Sequence, residues 1–184
     1  MRWFRSGPSP FQTALAMVGA KPGQLVLVIG AGSGQLAAEI ALVTGLNGRT
    51  VVVSRGRDAE RTVEAAAARA GALVEFEAID SSTLAAAGDT VDIVVLQRQL
   101  GDSNIDRAAL ASEAVRVLRP GGRVIVIEGA EPGTKPGLGR RPPAPAVDAA
   151  TVQSLLADTG LKATRVLGEA EGTLYIEGVK PRVV

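Results

Sequence analysis

The sequence predicts an α/β fold: a doubly wound, mostly parallel sheet with helices on both faces. Three observations predict it. Five apolar runs of strand length alternate with helical patterns along the 184 residues. A glycine-rich turn joins the first run directly to a helix, and the chain closes on two strand-like runs around a short Glu/Gly turn. Parallel strands need crossover connections that lie over the sheet, so such alternation covers both of its faces.

The elements follow in order. Ser9, Pro10 and the run Phe11, Leu15, Val18 read as a short capped helix ending before Lys21-Pro22-Gly23. Leu25 to Ile29 is an unbroken apolar run, a buried strand. Gly30 to Gly34 turns it into the helical pattern Leu36, Ile40, Val43, which Gly45 ends. Thr50 to Val53 makes a second strand, Ala59 to Ala70 an alanine-rich helix closed by Gly71, and Leu73 to Phe76 a third strand. Val91 to Leu96 is the fourth. A helix over Ile105 to Leu118 stops at Pro120-Gly121-Gly122, and Arg123 to Ile127 is the fifth strand. Five prolines and four glycines among the nineteen residues from Gly129 to Val147 make a loop. Ala149 to Thr159 is helical, and Ala163 to Leu167 with Thr173 to Val179 form a β-hairpin.

Composition removes several kinds of chemistry. Twenty Lys and Arg against nineteen Asp and Glu leave a net charge of +1, so no broad electrostatic case exists for nucleic acid or an anionic membrane. The chain has no Cys and no His, which excludes disulfides, thiolate zinc sites, a cysteine nucleophile and an imidazole base; no metal site is expected. Gln12 and Thr13 interrupt the apolar run that follows Arg2 and Arg5, unlike a signal peptide, and the longest apolar stretch, Leu25 to Ala38, is broken by three glycines. The expectation is a cytoplasmic protein that does not enter membranes.

Gly30-Ala31-Gly32-Ser33-Gly34 stands between a buried strand and a helix. Small residues there let backbone N–H groups and the helix N-terminus approach an anionic or carboxylate-bearing ligand; the alternative is a tight turn that holds nothing. The third glycine of a dinucleotide fingerprint would stand at position 35, which is Gln35, and no Walker lysine follows.

Val26-Leu27-Val28-Ile29-Gly30-Ala31-Gly32-Ser33-Gly34 resembles the first motif of class I S-adenosylmethionine-dependent methyltransferases. Ala114 through Val126, with Pro120-Gly121-Gly122 at its centre, resembles the helix, turn and fifth strand of the same family, especially its ubiquinone- and menaquinone-biosynthesis members. Leu155 to Leu161 resembles the helix before the family's reversed last strand. The resemblance covers about residues 21 to 180. It implies one methyltransferase-like domain over 21–184 behind a helical segment 1–20, with a seven-stranded sheet in the order 3-2-1-4-5-7-6. It also implies S-adenosylmethionine bound across the carboxyl ends of the strands.

Carried over residue by residue, the resemblance assigns the cofactor to Gly30, Ala31, Gly32, Ser33, Gly34, Ser54, Asp80 and Gln97. Two positions depart from the pattern. Val28 stands where many members carry an acid, and Ser54 stands where an acid accepts the ribose hydroxyls; a neutral hydroxyl forms weaker bonds than a carboxylate. Asp80 matches the carboxylate that accepts from the adenine amino group, or else caps a short helix after Ser81 and Ser82. Gln97 orients the cofactor or substrate, or simply ends the fourth strand. Arg55 suits a 2′-phosphate, hence NADP, or is a solvated arginine. Asp92 begins the fourth strand away from the crevice and is structural.

Methyl transfer from a sulfonium is an in-line displacement that rests on proximity, so a chain without His or Cys can perform it. Asp102, Asp106, Glu128 and Glu131 are the carboxylates placed to help an acidic acceptor, and none is singled out as catalytic. Trp3, Phe4 and Phe11, three of only five aromatics, form a substrate wall, pack ordinarily, or make a homodimer contact. Arg140-Arg141 would attract an anion or be solvated. The leading expectation is a methyltransferase acting on a small-molecule acceptor. The alternatives are a non-catalytic methyltransferase-like binding or interaction domain and an NADP-linked enzyme.

Overall fold

Alternation along β1 (Leu25–Ile29) sorts the whole core: Val26 and Val28 point to one side of the sheet, Leu27 and Ile29 to the other. The structure is a computed structural model and describes residues 10–79, 83–133 and 144–182. On the first side β1 packs against α1 (Gln12–Val18), α2 (Gln35–Thr44) and α3 (Arg57–Ala70), through Val18, Leu36, Ile40 and Val63. The second side meets α4 (Arg107–Val117) and α5 (Ala149–Asp158), through Leu110, Ala114, Val152 and Leu156. Both layers exclude water, which is what makes the central strands read as continuous apolar runs.

The described residues form one seven-stranded sheet in the order β3-β2-β1-β4-β5-β7-β6, as the resemblance implies. β2 (Arg49–Ser54), β3 (Glu75–Ala78), β4 (Val91–Gln97) and β5 (Leu118–Gly129) run parallel with β1. β7 (Thr173–Val179) lies antiparallel between β5 and β6 (Lys162–Ala170). The hairpin turn falls at Glu171-Gly172, both at positive φ, which suits the twist of a tight two-residue connection.

Among the boundaries that differ from the sequence reading, three have a direct structural reason. β3 lies two residues later than Leu73 to Phe76: Leu73 is 75% exposed, and the strand is Glu-Phe-Glu-Ala on a sheet edge, held by pairing with Val51 to Ser54. α4 starts at Arg107 because the Asp106 carboxylate caps it, accepting the N–H groups of Ala108 and Ala109. Pro120-Gly121-Gly122 lies inside β5, in an irregular stretch where its register against β4 shifts. Gly121 N–H donates to Lys180 O, and Lys180 N–H donates to Gly122 O. Asp92 is structural, accepting Leu25 N–H at 2.8 Å and Arg119 Nε at 2.6 Å.

Candidate functional site

The carboxyl ends of β1, β2, β4 and β5 meet at the loop Gly30 to Gly34. Gly34 precedes α2 with φ +73°, and a Cβ there would stand 2.9 Å from the Val63 Cα, so α2 and α3 approach at this point only without a side chain. Gly34 N–H closes the turn onto Ala31 O at 2.8 Å. Ser33 N–H instead donates to the Glu131 carboxylate at 2.5 Å, a charge-assisted bond across the crevice from the chain segment that follows β5.

Gln97, the last residue of β4, is 2% exposed, and neither its amide nitrogen nor its amide oxygen has a hydrogen-bond partner among the described residues. A buried amide without partners is costly, and such groups in native folds call for a ligand or water. Its Nε2 lies 2.5 Å from where a Cβ on Gly32 would stand, so the orphaned amide faces the middle of the glycine loop. Gln99 lies across the first glycine and donates from Nε2 to Gln97 O at 2.9 Å. In the structure it is half-buried over the loop.

Beside Gln99 opens a cavity of about 220 Å³ lined by Ile29, Val53, Ser54, Arg55, Ile79 and Asp102, among others. Ser54 ends β2 and lines this cavity, next to Arg55. Val28 is fully buried among the α1–α3 side chains, where a carboxylate would meet apolar atoms. A second cavity, about 380 Å³, lies beyond β4 and β5 and is lined by Arg98, Gly101, Asp102, Glu128 and Gly129 with Ala144 and Ala146. Glu128 is 2% exposed and accepts Leu100 N–H at 2.8 Å. Burial pushes its carboxyl above the ordinary range, while the N–H groups of Leu100 and Gly101 and the charge of Arg98 pull it partway back. Arg98 holds φ +55°, unusual for any residue other than glycine, and its N–H donates to Ile127 O.

Phe11 is 5% exposed in the core shared with α2, and its ring contacts Gly133, near Glu131 rather than in either crevice cavity. Trp3, Phe4, Asp80 and Arg140-Arg141 lie outside the described residues. The structure therefore brings together the glycine loop, Gln97 and Ser54. Sequence reasoning missed Gln99, and it named Glu131 only as one carboxylate among several; no local pattern announces a contact across 98 residues. Among the described residues no group of three His, Cys, Asp or Glu side chains is placed to hold a metal, and no helix is long and apolar enough to cross a membrane.

The site residues fit a cofactor with polar ends: the buried amide of Gln97 lacks a partner, and the absence of side chains at Gly30 and Gly32 is what lets the polar groups of Gln97, Gln99 and Glu131 approach the loop backbone. Comparison with known proteins agrees. A family model described as a methyltransferase domain matches residues 26–122, more than half of the chain. The ubiquinone/menaquinone biosynthesis C-methyltransferase of Ectopseudomonas mendocina is 31% identical over 126 residues, 65% of this chain and 47% of that protein. Its namesake in Vibrio vulnificus is 31% identical over 62% of this chain and 44% of its own length. The chain thus spans just under half the length of these curated relatives. Among solved structures, an S-adenosylmethionine-dependent methyltransferase from Aquifex aeolicus superposes with a TM-score of 0.76 at 19% identity, covering 94% of this chain and 93% of that one. The [4+2]-cyclase SpnF superposes with a TM-score of 0.69 at 17% identity, over 98% and 86%. At such identities the superpositions speak for the fold, which the cyclase shares. The match over residues 26–122 carries the further step: the chain belongs to the methyltransferase domain family, the class I S-adenosylmethionine-dependent methyltransferases.

Proposed function

We propose that this chain binds S-adenosylmethionine over the Gly30–Gly34 loop and serves methyl transfer to a small-molecule acceptor. The observation that carries the reading is the orphaned, buried Gln97 amide facing Gly32. When bound, the cofactor supplies a methyl group already activated on a sulfonium. The protein's task is then placement and exclusion of water. Loop N–H groups and the Gln97 amide hold the amino-acid end. The Ser54 hydroxyl and the Asp102 carboxylate, which line the 220 Å³ cavity, take the ribose hydroxyls. Asp80 is the candidate for the adenine amino group. Residues 21–184 make up the working domain, and segment 1–20 adds its helix to the outer layer.

The acceptor belongs in the 380 Å³ cavity, where Glu128 can take a proton and Arg98 can face an anionic or electron-rich oxygen. The names of the relatives favour a quinol-type ring whose carbon is methylated. Titration calorimetry with S-adenosylmethionine and S-adenosylhomocysteine, with NADPH as control, tests the reading. Saturable binding of the first two, lost in Gly32→Val, supports it. Silence to millimolar ligand favours the non-catalytic reading to which Ser54 and Val28 incline, and binding of NADPH alone favours Arg55 as a phosphate partner.

A further inference from the structure

Ser33 N–H is a loop donor suited to a ligand's carboxylate, since it already donates to one and stands at the entry to α2, where the helix dipole adds positive potential. In the structure that donor is occupied by the protein itself. Glu131 Oε1 lies 2.5 Å from Ser33 N and 2.8 Å from the position of a Cβ on Gly32, so its carboxylate fills the space directly over the loop. The position is built into the fold. Ala130 N–H donates to Gly172 O, Ala130 O accepts from the buried Thr173 hydroxyl, and the Phe11 ring packs against Gly133. The short segment carrying Glu131 is therefore tied to the β6–β7 hairpin on one side and to the α1 region on the other.

We propose that Glu131 is a specificity-determining residue of the cofactor site: its carboxylate occupies the subsite of the ligand's own carboxylate. The inference rests on the cofactor reading above. A nucleoside that lacks an amino-acid tail enters the 220 Å³ cavity without disturbing Glu131. A ligand that carries the tail must take Ser33 N–H from it, and two carboxylates cannot share one donor without repulsion. The partnerless Gln97 amide is a donor that the displacing carboxylate can gain and that Glu131 leaves unused.

The test measures the affinities of S-adenosylhomocysteine and 5′-methylthioadenosine, which differ in the amino-acid tail, for the wild-type chain, Glu131→Gln and Glu131→Ala. Removing a competing charged hydrogen bond is expected to tighten S-adenosylhomocysteine about tenfold in Glu131→Ala and by less in Glu131→Gln. Methylthioadenosine affinity is expected to stay within about twofold, since it makes no claim on Ser33. Hydrogen exchange supplies a readout without ligand: the Ser33 amide exchanges faster in Glu131→Ala than in the wild type. Unchanged or weaker S-adenosylhomocysteine binding by the variants overturns the proposal, as does an equal gain for both ligands. If methylthioadenosine and S-adenosylhomocysteine bind none of the three proteins, the cofactor reading itself fails, a result distinct from binding that ignores Glu131.

Discussion

Gln97 lies against the face of Gly32, with its amide nitrogen 2.5 Å from where a Cβ on that glycine would stand. Gly32 also holds φ +50°, a conformation that costs an L-residue about 1–2 kcal/mol. Gly32→Ala therefore strains the loop and fills the space between Gln97 and Glu131 at once. Calorimetry is expected to show S-adenosylhomocysteine affinity falling at least about tenfold, ~1.4 kcal/mol, with a modest loss of melting temperature. Full affinity in a folded Gly32→Ala protein would remove the loop from the binding site.

The contrast between Gly32 and Glu131 marks what the sequence could carry. Runs such as Leu25 to Ile29 and Thr173 to Val179 show their boundaries because both faces of each strand are buried and nearly every residue is apolar or small, Glu177 being the exception that ion pairs satisfy. β3 does not, since an edge strand with Glu at alternate positions is defined by its partner's backbone rather than by its own side chains. The glycine loop is legible for the same local reason, as strand, turn and helix are contiguous. Contacts such as Ser33 to Glu131 or Leu100 to Glu128 join residues far apart in the chain, and only the sheet order puts their elements side by side. The helix layers were legible too, while Asp106 as the cap of α4 was visible as a residue type but not as a boundary.

Ser54 faces a cavity that already holds Asp102 and Asp106, with Arg55 adjacent. Ser54→Asp restores the carboxylate that the resemblance places there, and charge-assisted bonds are about twice as strong as neutral ones. The expected gain for S-adenosylhomocysteine is about tenfold at low salt. Titration of the variant beside the wild type checks it, and no gain would move the ribose away from the end of β2.

Glu128 offers a pH signature. Its carboxyl titrates above its unfolded value, so the native state binds more protons than the unfolded chain between the two values. Its contribution is then fully favourable below the ordinary carboxyl range and is lost as pH rises through the folded value. Replacing it by Gln removes that slope. Denaturant midpoints followed from pH 4 to 8 should show Glu128→Gln gaining on the wild type as pH rises, whatever the offset from altered bonds to Leu100 and Gly101. On the proposed function, the same substitution should lower methyl-transfer kcat while sparing S-adenosylhomocysteine affinity, because Glu128 lines the 380 Å³ cavity proposed for the acceptor and not the loop. A constant stability difference across the range would mean that the carboxyl is not titrating as its burial requires.

Arg123 ties the outer helix layer to the sheet. Its Nη1 donates to Glu177 at 2.8 Å, and its Nη2 donates to Val18 O at 2.7 Å, satisfying a carbonyl at the end of α1. The Glu177 side chain is 3% exposed and, among the described residues, also pairs with the more exposed Arg165. Arg123→Met keeps the aliphatic stem but leaves Glu177 half-paired and the Val18 carbonyl without its side-chain donor, at a cost of about 1–3 kcal/mol. Because α1 carries Ala14 and Val18 next to Phe11, and Phe11 touches Gly133, loosening α1 also loosens the segment that holds Glu131 over the loop. Hydrogen exchange in Arg123→Met should therefore show lost protection in α1 and a smaller loss at Ser33. Thermal melts of Arg123→Met, Glu177→Gln and the double variant should give less than the sum of the two single losses, because each removes the same pair. Additive losses with Ser33 unchanged would show that α1 is anchored by packing alone and that the Glu131 contact stands independently of it.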